Sequence, residues 1–179
     1  MTSGFMSTVW QVHPAEPERA GTLARSLGVH PLTAQILLNR GLRDRPQAEQ
    51  FLHPDLAALE DPFALSGMAQ AVSRLRRAIA AGEPIVVFGD SDVDGLTAGV
   101  ILYETLCALG ASVRGRQSNR IADGYGLPHR LVQQLARSST KLVVLVDCGT
   151  NQPEAIRQLA GNGIDTIVVD HHVPLGEPA

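Results

Sequence analysis

The chain has 179 residues, 44% of them hydrophobic, and a formal net charge of −3. That suits one domain of ordinary size with a real core, and no basic excess announces a nucleic-acid partner. Two cysteines, Cys107 and Cys148, give neither a disulfide framework nor zinc-ligand spacing, and no apolar run is long enough to cross a membrane. The stretch around Phe5, Val9 and Trp10 has no sustained apolar run, which argues against a signal peptide and for a cytoplasmic protein without a membrane partner. Lys141 is the only lysine. Arginine suits bidentate phosphate contacts, although a GC-rich coding bias explains the same usage.

The first part of the chain reads as helical. Pro17 to Leu27 predicts one helix closed by Gly28, and Pro31 to Leu38 a second that stops near Asn39-Arg40-Gly41. Arg45 to Phe51 predicts a short third helix, and Asp61-Pro62 marks a turn. Met68, Val72, Leu75 and Ile79 recur at helical spacing, so Met68 to Ala81 predicts an amphipathic helix closed by Gly82. We expect residues 1–81 to form a helical region that packs on a catalytic domain beginning at residue 82.

The pattern then changes. Ile85-Val86-Val87-Phe88 is a continuous apolar run, as in a strand buried on both faces. Leu96 to Leu109 predicts a helix, Val113 lies in a second strand, and Leu127 to Arg137 predicts another helix. Leu142 to Val146 is the clearest strand, Pro153 to Ala160 a helix with proline in its first turn, and Ile164 to Val169 a last strand. Strands alternating with helices imply an α/β fold with an open parallel sheet flanked by helices and joined by right-handed crossovers.

Polar residues follow three of these strands. Asp90, Asp92 and Asp94 follow the first, Asp147 the Leu142–Val146 strand, and Asp170-His171-His172 the last. Ligands of open α/β sheets bind outside the carboxyl ends of the strands, so these groups converge on one edge. Two like charges about 4 Å apart cost roughly 4 kcal/mol at an effective dielectric near 20, and a divalent cation reverses the sign of that cost. Oxygen donors suit Mg²⁺ or Mn²⁺, and added histidine shifts the preference toward Mn²⁺.

Each feature has a plainer reading. The Asp cluster resembles a solvated acidic turn or a calcium loop. Asp147 has the form of a helix cap, though Pro153 starts the next helix too far on, and the carboxylate is well placed to bridge two metals. One of His171 and His172 suits a metal, the other a phosphate contact or proton transfer; Asp170 either ligates or orients. Arg120, within Asn119-Arg120-Ile121-Ala122-Asp123-Gly124-Tyr125-Gly126, reads as a phosphate clamp or as part of a surface turn.

These segments together resemble the DHH phosphoesterase superfamily, and within it the RecJ-type single-strand-specific 5′→3′ exonucleases of DNA repair and recombination. Gly89 to Gly95 resembles the first motif of that family and Asn119 to Gly126 its Asn-Arg and Gly-Tyr-Gly segment. Val146-Asp147-Cys148-Gly149 resembles the third, and Asp170-His171-His172 the name-giving triplet. Leu37 to Gly41, Phe51 to Pro54, Asp61-Pro62 and the Met68 to Ile79 helix extend the likeness over nearly the whole chain.

The resemblance implies metal-dependent hydrolysis of single-stranded DNA, with Mn²⁺ or Mg²⁺ in a two-metal site. Asp90, Asp92, Asp94, Asp147 and His171 would be the ligands, with Asp147 bridging. Asp147, His171 and His172 would form the catalytic set, with His172 at the scissile phosphate. Asn119 and Arg120 would bind substrate phosphate. A water of lowered pKa would attack phosphorus in line, and a narrow channel with base stacking would select single strands. Other repair or replication proteins are implied as partners.

Ser91 stands where the family usually has tyrosine. The family also continues beyond this length with one more metal-binding aspartate and further substrate-binding domains. The expectation is therefore the N-terminal catalytic part of such an enzyme, with one ligand missing and weak or no turnover by itself. The alternatives are a DHH phosphoesterase of short oligonucleotides or nucleotides, and a non-catalytic RecJ-like module.

Overall fold

Two strands made almost wholly of Val, Leu, Ile and Phe set the centre of the fold. In the computed structural model, which describes residues 11–176, β1 (Ile85–Gly89) and β3 (Leu142–Val146) are buried at every position. Phe5, Val9 and Trp10 lie outside the described residues. β1 and β3 pair in parallel, with β2 (Val113–Gln117) on the outer side of β1 and β4 (Asp165–Val169) on the outer side of β3. The order β2-β1-β3-β4 confirms the expected open parallel sheet, and its switch point falls between β1 and β3.

Alternation along the central strands sends side chains to two separate cores. Val86, Phe88, Val143 and Leu145 meet α7 (His129–Ala136) and α8 (Pro153–Gly161) through Val132, Leu135 and Leu159. Ile85, Val87, Leu142, Val144 and Val146 meet α4 (Met68–Ala80) and α5 (Val93–Ala108) through Ala78 and Leu106.

The compact units part between Asp61 and Pro62 and not after residue 81. The reason is α4: its stripe of Leu75, Ala78 and Ile79 belongs to the sheet's own core, and Arg74 reaches Asp165 at the start of β4 at 2.5 Å. The first unit holds α1 (Pro17–Leu27), α2 (Pro31–Asn39) and α3 (Arg45–Leu52). Each has proline in its first turn, where the missing N–H costs nothing. Its core is Ala20, Leu23, Ala24, Ala34, Leu37, Leu38 and Ala48. Among the described residues no helix is long and apolar enough to cross a membrane.

Two features depart from the sequence reading. α5 begins at Val93 rather than Leu96, because Asp92 caps it: the carboxylate accepts from the Gly95 N–H at 3.0 Å. A single extra turn, α6 (Arg120–Asp123), forms where a loop was expected, capped by Asn119.

Candidate metal centre

One register row explains how residues distant in sequence meet. Gln117, Gly89, Val146 and Val169 lie side by side as the last residues of β2, β1, β3 and β4. The next residues, Ser118, Asp90, Asp147 and Asp170, therefore leave the sheet at one level. Glycine makes the first of these turns possible. A Cβ on Gly89 would lie 2.4 Å from the Gly95 carbonyl oxygen, and one on Gly95 would lie 2.5 Å from that of Asp90.

Asp147 is the centre of the cluster. Its φ of 59° makes it the one non-glycine residue in the left-handed region among those described, a conformation Asp tolerates better than most. Only 6% of the residue is exposed. Oδ1 lies 3.0 Å from His171 Nε2. Oδ2 is buried and has no hydrogen-bond donor from the protein, and the carboxyl of Asp92 lies close enough for the two carboxyls to influence one another. Burial, then the Asp92 carboxylate, pushes the Asp147 carboxyl above its ordinary value. Asp92, held by the Gly95 N–H, is pushed below. The titration of each carboxyl therefore depends on the other.

Ligand atoms of Asp147, His171 and His172 all lie within 4.8 Å of one another. Two facing carboxylates, a donor-less buried oxygen and imidazole nitrogens form a site that fits a divalent cation of the Mn²⁺ or Mg²⁺ type.

Asp170 is placed differently. Oδ2 accepts from the Thr150 N–H at 3.0 Å, and Oδ1 from the main-chain N–H groups of His171 and His172 at 2.8 and 3.2 Å. His172 Nδ1 lies 2.7 Å from Oδ1. Burial alone would raise this carboxyl, but the Thr150 and His172 hydrogen bonds hold it well below the usual carboxylate range. With its acceptors filled, Asp170 orients the histidine pair. Its hydrogen bond raises the pKa of His172, against the smaller effect of desolvation. The Tyr125 hydroxyl stands 3.0 Å from the same nitrogen, and burial pushes that phenol up to about 12.

Asp90 is fully buried. Its Oδ1 accepts from Ser118 Oγ at 2.8 Å and from the Gly126 N–H at 3.5 Å, while Oδ2 accepts from Arg120 Nη1 at 3.2 Å. Asn119 spends its Oδ1 on the Ile121 and Ala122 N–H groups as the cap of α6. Asp94 is exposed in the first turn of α5, and its carboxylate makes no hydrogen bond or ion pair with the described residues.

The structure thus assembles Asp92, Asp147, His171 and His172, pairs Asp90 with Arg120, and leaves the Asp94 carboxylate without a hydrogen bond among the described residues. Sequence reasoning missed Ser118 and Tyr125. Ser118 had a legible signal, because it follows β2 as Asp90 follows β1; nothing local marked Tyr125 as a partner of His172.

A parallel α/β sheet with a carboxylate and histidine cluster at its switch point is an arrangement suited to holding a divalent cation. The sequence model of the DHH family, N-terminal domain, matches residues 84–179, and the chain belongs to this family. It is 31% identical over 165 residues to the single-stranded-DNA-specific exonuclease RecJ of Bacillus subtilis, covering 92% of this chain and 21% of that protein. The structure matches RecJ from Thermus thermophilus in complex with Mn²⁺ with a TM-score of 0.64 and 33% identity, over 92% of this chain and 22% of that one. The Mg²⁺ complex of the same protein matches with a TM-score of 0.51 and 30% identity, over 88% and 19%. The chain therefore spans about a fifth of the length of the relatives it matches.

Proposed function

We propose that the chain contributes metal-ligating and phosphate-binding residues to a RecJ-like exonuclease that hydrolyses single-stranded DNA from its 5′ end. The observation that carries this reading is Asp147: a buried carboxylate oxygen without a protein donor, faced by Asp92 and flanked by His171. An isolated buried carboxylate is costly, and a cation is the partner that removes the cost.

In this reading Asp92, Asp94, Asp147 and His171 hold Mn²⁺ or Mg²⁺. When bound, such ions supply positive charge against the phosphate oxygens and lower the pKa of the attacking water. The remaining steps belong to side chains. Arg120, with one nitrogen on Asp90 and its side chain 55% exposed, presents its other N–H groups to a substrate phosphate. Asn119 retains its amide N–H₂ for the same purpose. Asp170 fixes the His172 ring through Nδ1 and keeps it protonated to higher pH, so that Nε2 can donate toward the departing oxygen. The enzyme acts in the cytoplasm, alongside other repair or replication proteins.

The test is Mn²⁺-dependent hydrolysis of a 5′-phosphorylated single strand, with protein in excess over substrate and a dinucleotide for comparison. We expect release from the long strand that is lost in Asp147→Asn. Hydrolysis that survives this substitution would sink the assignment, and preference for the dinucleotide would move the substrate to short oligonucleotides.

A further inference from the structure

We propose that Asp90 is not a metal ligand but the positioning residue that latches the phosphate-binding segment 118–126 onto the sheet, an inference that rests on the metal-dependent reading above. Three observations carry it.

The first is where its acceptors go. Both carboxylate oxygens and the main-chain carbonyl of Asp90 are engaged, and every donor comes from residues 117–126: Gln117 Nε2 at 2.9 Å, Ser118 Oγ, Arg120 Nη1 and the Gly126 N–H. Asp147, at the same level on the neighbouring strand, shows what a ligand looks like by contrast, because its Oδ2 has no protein donor at all.

The second is how little else holds the segment. Its only regular structure is the four-residue α6, and Ile121 within it is wholly exposed. Asp123 is bound bidentately by Arg130 at the α7 end. At the β1 end the ties are Asp90 and the bond from the Ser118 N–H to the Gly89 carbonyl. A buried carboxylate with hydrogen bonds to both ends of such a loop fixes its course.

The third is what the segment carries. Asn119, Arg120 and Tyr125 all sit on it. Arg120 lies over the Tyr125 ring, 5.8 Å from its centroid, and Tyr125 in turn touches His172. Pinning one guanidinium nitrogen to a buried charge fixes the orientation of the planar fork and leaves its remaining donors open to a phosphate. Asp90 therefore acts through Arg120.

The test separates ligand from latch with two readouts. Mn²⁺ affinity is measured by calorimetry, and binding of a 5′-phosphorylated oligonucleotide by fluorescence anisotropy with EDTA present, on wild type, Asp90→Asn, Ser118→Ala, Arg120→Ala and the Asp90→Asn/Arg120→Ala double variant. Asp90→Asn and Ser118→Ala are expected to keep Mn²⁺ affinity within about twofold and to lose on the order of tenfold in oligonucleotide affinity. The double variant is expected to bind the oligonucleotide no more weakly than Arg120→Ala alone.

Loss of Mn²⁺ binding in Asp90→Asn, or unchanged oligonucleotide affinity in both latch variants, overturns the proposal. Should Asp90→Asn fail to fold, Ser118→Ala supplies the oligonucleotide arm and a crystal of wild type soaked in Mn²⁺ supplies the other. Asp90 still on Ser118 and Arg120 supports the latch, and Asp90 within coordination distance of the ion refutes it. The metal centre itself is judged separately by Asp147→Asn, whose retention of Mn²⁺ would overturn that reading whatever Asp90 does.

Discussion

Asp147 and Asp170 are both strand-end aspartates, and their surroundings give them opposite properties. Asp147 has one oxygen without a donor and a like charge beside it; Asp170 has four N–H groups directed at its carboxylate. In the metal-free chain, Asp147→Asn replaces a repelled carboxylate with an amide that can donate to Asp92, in a left-handed conformation that asparagine also tolerates. Urea unfolding in EDTA should show this variant to be more stable, by about 1 kcal/mol; a loss of stability would contradict the account of a strained, cation-seeking carboxylate.

The Asp170–His172 pair has the reverse sign. Its contribution is fully present between the ordinary carboxylate and imidazole values. It is lost as pH rises through the raised His172 value, and again as pH falls through the depressed Asp170 value. NMR titration of the metal-free chain should place His172 above ordinary histidine, and Asp170→Asn should lower it. Residue types and positions at this scale were legible, because a polar residue just after an apolar strand has one edge to go to. What was not legible is which aspartate has its oxygens filled: that depends on Thr150, Ser118 and Arg120 arriving from elsewhere.

Backbone contact at the start of α5 decides where the Asp cluster sits. A Cβ on Gly95 would meet the N, C and O atoms of Asp90 at 2.6, 2.8 and 2.5 Å, and rigid backbone cannot yield. Gly95→Ala should therefore destabilise the chain by roughly 2–3 kcal/mol, as overpacking does. Gly99→Ala, one turn along the same helix, meets only Val146 Cγ2 at 3.9 Å. It should be neutral or stabilising by up to about 1 kcal/mol through helix propensity. Thermal unfolding followed by circular dichroism checks both, and equal effects at the two sites would refute the packing argument.

The helices and strands were read well from periodicity because their apolar residues repeat cleanly; α1 and β3 match residue for residue. α5 was read three residues short. Its first turn contains Asp and Gly, poor helix formers, and only the Asp92 cap makes it helical. α6 was missed altogether, since four residues give no period to detect.

For the molecule as a whole, charge and covalent extent pull in different directions. The net charge of −3 offers no general attraction for a polyanion, so oligonucleotide binding should depend on a few local arginines and fall only gently with salt. Replacing Arg120 with alanine should lessen the slope of log affinity against log salt by about 0.7, the value for one phosphate contact on a single strand; an unchanged slope would remove Arg120 from the phosphate path. The fold class and family were legible because the motifs fall at the ends of recognisable strands. The division into units was not, because the amphipathic pattern of α4 marks a buried face without saying which core it joins.

Mn²⁺ binding to the wild-type chain and to Asp147→Asn, followed by electron paramagnetic resonance of the free ion at neutral pH, tests the central claim most directly. The account predicts that wild type depletes the free Mn²⁺ signal with saturation, and that Asp147→Asn, still folded, leaves it undiminished. Equal depletion by both chains would contradict a metal centre built on the donor-less oxygen of Asp147.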